Sequence, residues 1–141
     1  MKVVYFLLGL VVGLMLQKPA HAEIDAVGLH LYSNHNPSRE ENNDLNVGGY
    51  VHTSGGYIVG AFWNSYKRTA VYAGWRSPEW HRLSFSVAGV TGYFSPVTPI
   101  FIPHWRFLET QYGSFSLSGS PVRLEEKGQA ILHLSFEMPL K

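Results

Sequence analysis

Hydrophobic and polar residues alternate one by one along much of the chain after residue 22. In the segment 130–138, apolar side chains at the even positions oppose His133, Ser135 and Glu137. Segments 80–92 and 112–119 show the same period of two. This period is typical of a β-strand with one apolar face. The pattern alone leaves open whether that face meets a protein core or a lipid bilayer.

The runs between glycines, prolines and polar clusters are rich in β-branched and aromatic residues, and none shows a helical period. Such runs predict strands. We therefore predict an all-β fold, a small antiparallel up-and-down β-barrel of about eight strands. The predicted strands are Ile24–Ser33, Gly48–Thr53, Tyr57–Asn64, Arg68–Arg76, Trp80–Gly92, Ile100–Glu109, Tyr112–Gly119 and Gln129–Met138.

The predicted connections differ in length at the two ends of such a barrel. One end would carry 34–47, 65–67, 93–99 and 120–128, and the other only 54–56, 77–79 and 110–111. Short turns at one end and longer loops at the other are typical of outer-membrane barrels. Several predicted strands are shorter than the about 9–11 residues usual for crossing a bilayer. A soluble periplasmic barrel or sandwich therefore stays open as an alternative.

The first 22 residues have the order of a secretory signal. Lys2 is followed by an apolar run from Val3 to Leu16 and then by the small-residue triplet 20–22, Ala-His-Ala. This run is shorter than the ~20 residues that a spanning helix needs. We expect residues 1–22 to be a signal peptide cleaved after Ala22, and residues 23–141 to be a single exported barrel domain. The outer membrane is the expected destination ahead of the periplasm.

Composition narrows the possible partners. The chain has 11 basic and 10 acidic residues, and loss of Lys2 and Lys18 leaves the exported part nearly neutral, which argues against nucleic-acid binding. It has no cysteine, so no disulfide supports the fold. His30, His35 and His52 lack the ligand number and spacing of a zinc site. We expect a monomer that has no cofactor or metal and contacts membrane lipid, either phospholipid or lipid A.

Candidate chemistry gathers at the predicted long-loop end. There Ser65 follows one strand, and His30 and His35 lie at the end of another. A hydroxyl beside a histidine base is the minimum for ester hydrolysis or acyl transfer. Asn64 stands where an orienting acid would be expected. Asp44 in the first long loop could approach, although nothing in the sequence requires it. The alternative interpretation, which involves no catalysis, is that Asn64 and Ser65 form a turn.

From Gly55 onward the order of features resembles the PagP family of outer-membrane lipid A palmitoyltransferases. The resemblance covers about 80 residues and is one of pattern more than of identity. It implies an eight-stranded outer-membrane barrel whose lumen holds an acyl chain, with transfer of a palmitoyl group from a phospholipid to lipid A. The segments that carry it are 57–65 (YIVGAFWNS), 73–75 (AGW), 85–91 (FSVAGVT), the proline-punctuated 96–103 and 112–121.

The resemblance assigns roles to individual residues. Ser65 matches the family's serine, and His30 is the first match to its histidine, with His35 second. Asn64 replaces the family's aspartate, and an amide cannot accept a proton. On this basis Ser65 is the polarised hydroxyl, His30 the base and Asn64 a donor to the oxyanion.

A second hypothesis, from a different class, is a non-enzymatic periplasmic or surface barrel that binds a small apolar ligand or a partner protein. The chain is also similar to small secreted proteins of Gram-negative bacteria and their phages. The features shared with them are Gly-Leu-His-Leu-Tyr-Ser at 28–33, an Asn-Asn loop and an Asn-Ser strand end. That group implies no particular activity.

Overall fold

A computed structural model describes residues 23–36, 43–93, 95–120 and 130–140. Eight antiparallel strands close into a barrel in which each strand pairs with its sequence neighbours and β8 pairs with β1. This confirms the predicted all-β, eight-stranded barrel. Among the described residues there is no helix with the length and apolar content to cross a membrane. The strands are β1 Ile24–Asn36, β2 Gly48–Thr53, β3 Tyr57–Trp63, β4 Thr69–Arg76, β5 Leu83–Val90, β6 Thr98–Thr110, β7 Gly113–Ser120 and β8 Ala130–Pro139.

Several strand bounds differ from the predicted ones for local reasons. β5 begins at Leu83 because Trp80 and Leu83 exchange backbone hydrogen bonds of 2.8 and 2.9 Å around a two-residue turn. The two turn residues, His81 and Arg82, have φ of 49° and 66°, as tight hairpins that match the strand twist require. β1 continues past Ser33 because it stays paired with β8 up to Asn36. The predicted signal peptide, residues 37–42 of the β1–β2 connection and the whole β7–β8 connection lie outside the described residues.

Alternate connections share an end because neighbouring strands are antiparallel. The long-loop end carries the connections 37–47, 64–68, 91–97 and 121–129. The short-turn end carries 54–56, 77–82 and 111–112. The carboxyl end of β1 and the segment after β3 therefore meet at the long-loop end, as the up-and-down prediction required.

The outer face of the wall is apolar. Three apolar side chains on strands with clear alternation are exposed, namely Leu83 at 49%, Phe85 at 40% and Leu132 at 52%. The described strands contain five charged residues, and none lies in the middle of the outer surface. Asp25, Arg76 and Glu137 make ion pairs with 14–30% of their side chains exposed, and Arg106 and Glu109 lie near the β6–β7 turn.

The lumen near the short-turn end is filled by a polar cluster. The Arg76 Nη1 to Glu137 Oε2 distance is 2.7 Å, and the Tyr50 hydroxyl donates to the same carboxylate oxygen at 2.8 Å. The guanidinium also lies 5.3 Å from the centroid of the Tyr50 ring. A buried ion pair needs such additional partners, because its desolvation is otherwise unfavourable. The charged groups thus face inward, where they share the interior with a buried cluster of Tyr50, Ile58, Ala70, Tyr72 and Val90.

Candidate active site

A chain of two short hydrogen bonds joins Asp44, His35 and Ser65 at the long-loop end. His35 Nδ1 lies 2.7 Å from Asp44 Oδ1, and His35 Nε2 lies 2.6 Å from Ser65 Oγ. An ionised carboxylate can only accept, so Nδ1 carries the proton and Nε2 is free to accept from the serine hydroxyl. His35 is 4% exposed and Ser65 is 8% exposed, whereas the Asp44 side chain is 40% exposed. This arrangement has the connectivity of a Ser-His-Asp triad.

The direction of His35 depends on a bulge in β1. In a regular strand, side chains five residues apart point to opposite faces, so His30 and His35 would not share the lumen. The pairing of β1 with β8 shifts register between His30 and Tyr32, which inserts one extra residue. As a result His30, Ser33 and His35 all line the lumen.

The loop that carries Asp44 is tied to both strands that supply its partners. The backbone N–H of Ser33 donates to the Asp44 carbonyl at 2.8 Å, and the N–H of Asn43 donates to the Ser65 carbonyl at 3.1 Å. The N–H of Trp63 at the end of β3 also donates to the Val47 carbonyl at 3.0 Å. These bonds fix the acid relative to the histidine and the serine without relying on the exposed carboxylate itself.

Asn64 organises the turn that presents Ser65. Its side chain is fully buried, and Oδ1 accepts from the N–H groups of Tyr66 and Arg68, both at 3.0 Å. Its Nδ2 donates to the Gly92 carbonyl at 2.9 Å, across the gap to the β5–β6 connection. We expected this amide to donate to an oxyanion, but its oxygen and nitrogen are both bound to backbone groups.

His30, the predicted base, lies in the lumen with other partners. Its Nδ1 is 2.8 Å from His133 Nε2, and its Nε2 is 2.8 Å from the Tyr72 hydroxyl. His133 Nδ1 is in turn 2.7 Å from Ser33 Oγ. The structure therefore brings Ser65 together with His35, the second choice of the sequence analysis, and places His30 in a separate hydrogen-bonded chain.

A cavity of about 290 Å³ extends from Ser65 and His35 into the lumen. Ligand pockets in proteins begin at about this size. Part of its wall is polar. The polar lining residues include His30, Ser86, His104 and Arg76. Its apolar side comes from β3, β5 and β6 and consists of Ile58, Phe62, Ala88, Val90, Ile100 and Ile102. A hydroxyl nucleophile thus opens onto a partly apolar chamber.

The described histidines of the lumen do not form a metal-binding group. Within the part of the chain that the structure describes, no three His, Asp or Glu side chains are grouped so as to hold a metal ion. The His30, His133 and His35 nitrogens are instead engaged with one another, with hydroxyls or with Asp44.

No protein-family model, curated protein or solved structure matches this chain. The resemblance to the PagP family remains an expectation drawn from the sequence pattern. Any functional assignment consequently rests on the contacts among Ser65, His35 and Asp44 and on the cavity beside them.

We predict that Asn64→Ala lowers the free energy of unfolding by about 1–3 kcal/mol, because it leaves buried N–H groups and the Gly92 carbonyl without partners. Urea unfolding followed by tryptophan fluorescence measures this. Asn34→Ala is the matched control, since Asn34 is exposed on β1 and should change stability by less than about 0.5 kcal/mol. Equal stability of the two variants would show that the Asn64 amide does not hold the turn.

Proposed function

We propose that this chain is an outer-membrane barrel enzyme that cleaves a lipid acyl ester and passes the acyl group through Ser65. The observation that carries the proposal is the pair of hydrogen bonds of His35, 2.7 Å to Asp44 and 2.6 Å to Ser65. A serine alone is a weak nucleophile, and a histidine oriented by a carboxylate is what activates it. Among the described residues, no carboxylate contacts the hydrogen-bonded chain of His30, so that chain supports a base less well.

In the proposed reaction, His35 Nε2 takes the Ser65 proton as Oγ attacks the carbonyl carbon of a phospholipid ester. The tetrahedral intermediate collapses, its bond to the alkoxy oxygen breaks, and His35 returns the proton to the leaving lysophospholipid. A hydroxyl of the acceptor then attacks the acyl-Ser65 ester with the same base, which regenerates Ser65. Lipid A is the acceptor that the PagP resemblance implies, and attack by water instead would release a fatty acid.

The apolar and aromatic side chains on the outer surface support placement of the barrel in a membrane. Outward side chains in the middle of the strands, such as Val59, Val71 and Phe101, are 49–51% exposed and apolar. Large exposed aromatic residues lie toward the two ends, with Trp63 at the long-loop end and Trp105 toward the short-turn end. Apolar bands flanked by aromatic residues are the pattern of lipid-facing barrels. A barrel in water would instead expose polar groups on this face.

The cavity supports an acyl chain as the bound part of the substrate. Its apolar side begins near Ser65 and runs along β3, β5 and β6, so an ester carbonyl at Ser65 would direct its hydrocarbon into the lumen. Burial of hydrocarbon there is favourable by roughly 0.8 kcal/mol for each methylene group. The polar groups at the short-turn end, including Arg76, limit how deep an apolar chain can extend.

The same cavity favours a second candidate, a barrel that binds a small apolar ligand without acting on it. In that case Ser65 and His35 would be a satisfied polar pair at the cavity wall, and neither acyl transfer nor ester cleavage would occur. The two candidates differ in what substitution of Ser65 does, because binding does not need a nucleophile.

We predict that Ser65→Ala, His35→Gln and Asp44→Asn each reduce acyl transfer by about 1,000-fold or more, since the three residues act as one unit. The measurement uses purified protein in detergent micelles with phosphatidylethanolamine as donor and lipid A as acceptor. Mass spectrometry then follows lysophospholipid, fatty acid and acylated lipid A.

His81→Asn is the matched control, because His81 is an exposed turn residue with positive φ that asparagine tolerates. This variant should retain wild-type activity. Absence of lysophospholipid with the wild-type protein, or equal turnover by Ser65→Ala, would rule out the enzyme and favour the binding barrel.

We also predict that Val59→Arg destabilises the barrel in phosphatidylcholine vesicles by about 2–4 kcal/mol, the cost of arginine on a lipid-facing strand. Val59 lies in the middle of β3, between Val51 and Ala73. Val97→Arg, in the β5–β6 connection, is the control and should have a much smaller effect. The free energy of unfolding from urea titration is the measurement. Equal effects of the two substitutions, with release of the protein by carbonate washing, would indicate a water-soluble barrel.

A further inference from the structure

The turn that presents Ser65 uses nearly all its backbone donors internally. The N–H groups of Tyr66 and Arg68 bind Asn64 Oδ1, and the N–H of Lys67 donates to the Asn64 carbonyl at 3.0 Å. The N–H of Asn64 itself donates to the Arg68 carbonyl at 2.8 Å. Among the described residues, the N–H of Ser65 is the one donor of this turn that has no partner.

Serine acyl-transfer sites commonly present more than one hydrogen-bond donor to the oxyanion, whereas this turn offers one free backbone N–H. The tetrahedral intermediate places a full negative charge on the former carbonyl oxygen, and preorganised donors at that oxygen account for a large share of the rate. Because the Asn64 amide is bound to the Gly92 carbonyl, it is not available to this oxygen. A donor from a side chain that faces the same cavity would supply the second hydrogen bond.

The connection that carries Tyr93 is held beside the Ser65 turn by a contact of Tyr93 itself and by hydrogen bonds of the two residues before it. Its ring makes an edge-to-face contact with the Tyr66 ring at 5.9 Å between centroids, and Tyr66 directly follows Ser65. The preceding residue, Gly92, is bound by the Asn64 side chain. One residue earlier, Thr91 exchanges backbone and hydroxyl hydrogen bonds with Val71 on β4. The β5–β6 connection is therefore fixed to the Ser65 turn where Tyr93 enters the cavity.

The Tyr93 hydroxyl is an available donor. Tyr93 lines the same cavity as Ser65 and His35. Within the described part of the chain its hydroxyl makes no hydrogen bond, whereas Tyr50 and Tyr72 in the lumen each have a partner. Burial, with a smaller contribution from Tyr66, raises the pKa of Tyr93 to about 12, so the hydroxyl stays protonated at neutral pH.

We propose that the N–H of Ser65 and the hydroxyl of Tyr93 together bind the oxyanion that forms when Ser65 attacks an ester. This inference rests on the proposed acyl-ester chemistry and deepens it. Tyr93 is a catalytic residue in this account, and Asn64 is a positioning residue that joins the Ser65 turn to the Tyr93 connection. The oxyanion donor expected from the sequence was Asn64; here the donor is Tyr93, and Asn64 holds the connection that carries it.

Tyr93→Phe tests the proposal because it removes only the hydroxyl and keeps the ring that packs on Tyr66. With phosphatidylethanolamine in micelles, we expect kcat to fall about 100-fold while KM changes less than about 3-fold, since the donor acts on the transition state. A loss of packing would instead lower the unfolding midpoint, which urea titration of the same sample measures.

Tyr112→Phe is the matched control, because Tyr112 is 73% exposed in the turn at the opposite end. Ser65→Ala, measured in parallel, distinguishes failure of the oxyanion assignment from failure of the nucleophile assignment. If Ser65→Ala abolishes turnover and Tyr93→Phe keeps kcat within about 3-fold of wild type, the oxyanion assignment is wrong and the nucleophile stands. If Ser65→Ala keeps wild-type turnover, the proposed function fails, and the Tyr93 assignment fails with it.

Discussion

The extra residue in β1 is the constraint on which the rest of the site depends. Without the register shift after His30, the strand would turn His35 toward the outside of the barrel and away from Ser65. With it, one strand supplies His30, Ser33 and His35 to the lumen. The side chain of Ser33 binds His133, while its backbone N–H binds the carbonyl of Asp44. A local irregularity therefore aims His35 into the lumen, and the same strand anchors the loop that carries Asp44.

The inward direction of polar groups imposes a second requirement, because each of them has to find a partner in a narrow lumen. The barrel meets it for most of these groups with small separate clusters, although among the described residues Asn46 Oδ1 and Arg76 Nε are buried without a hydrogen-bond partner. Ser33, His133, His30 and Tyr72 form one chain, Ser86 and His104 form a pair at 2.7 Å, and Arg76, Glu137 and Tyr50 form a cluster. The His35 triad is distinct from these groups because one of its members, Asp44, is partly exposed and its serine opens onto an apolar wall.

The sequence predicted the fold well because period-two alternation and turn residues are local signals. Those signals were enough for eight strands, for the barrel and for bringing the Ser65 turn to the same end as the carboxyl end of β1, which carries His35, whereas His30 lies in the middle of β1. They were not enough to choose between His30 and His35, since a bulge leaves little trace in composition. The contact of Asp44 with His35 depends on backbone bonds from Ser33 and Asn43, which no spacing rule predicts. The turn interpretation of Asn64 was the better guide to what its side chain does.

The most direct test of the account is covalent labelling by a fluorophosphonate with an alkyl chain, which reacts with an activated serine and leaves an unactivated one unmodified. Peptide mass spectrometry of the labelled full-length protein locates the adduct. The account predicts one adduct, on Ser65, that is lost when His35 is replaced by glutamine. An adduct on Ser33 instead, or an unlabelled wild-type protein under conditions that label a serine esterase, would contradict it.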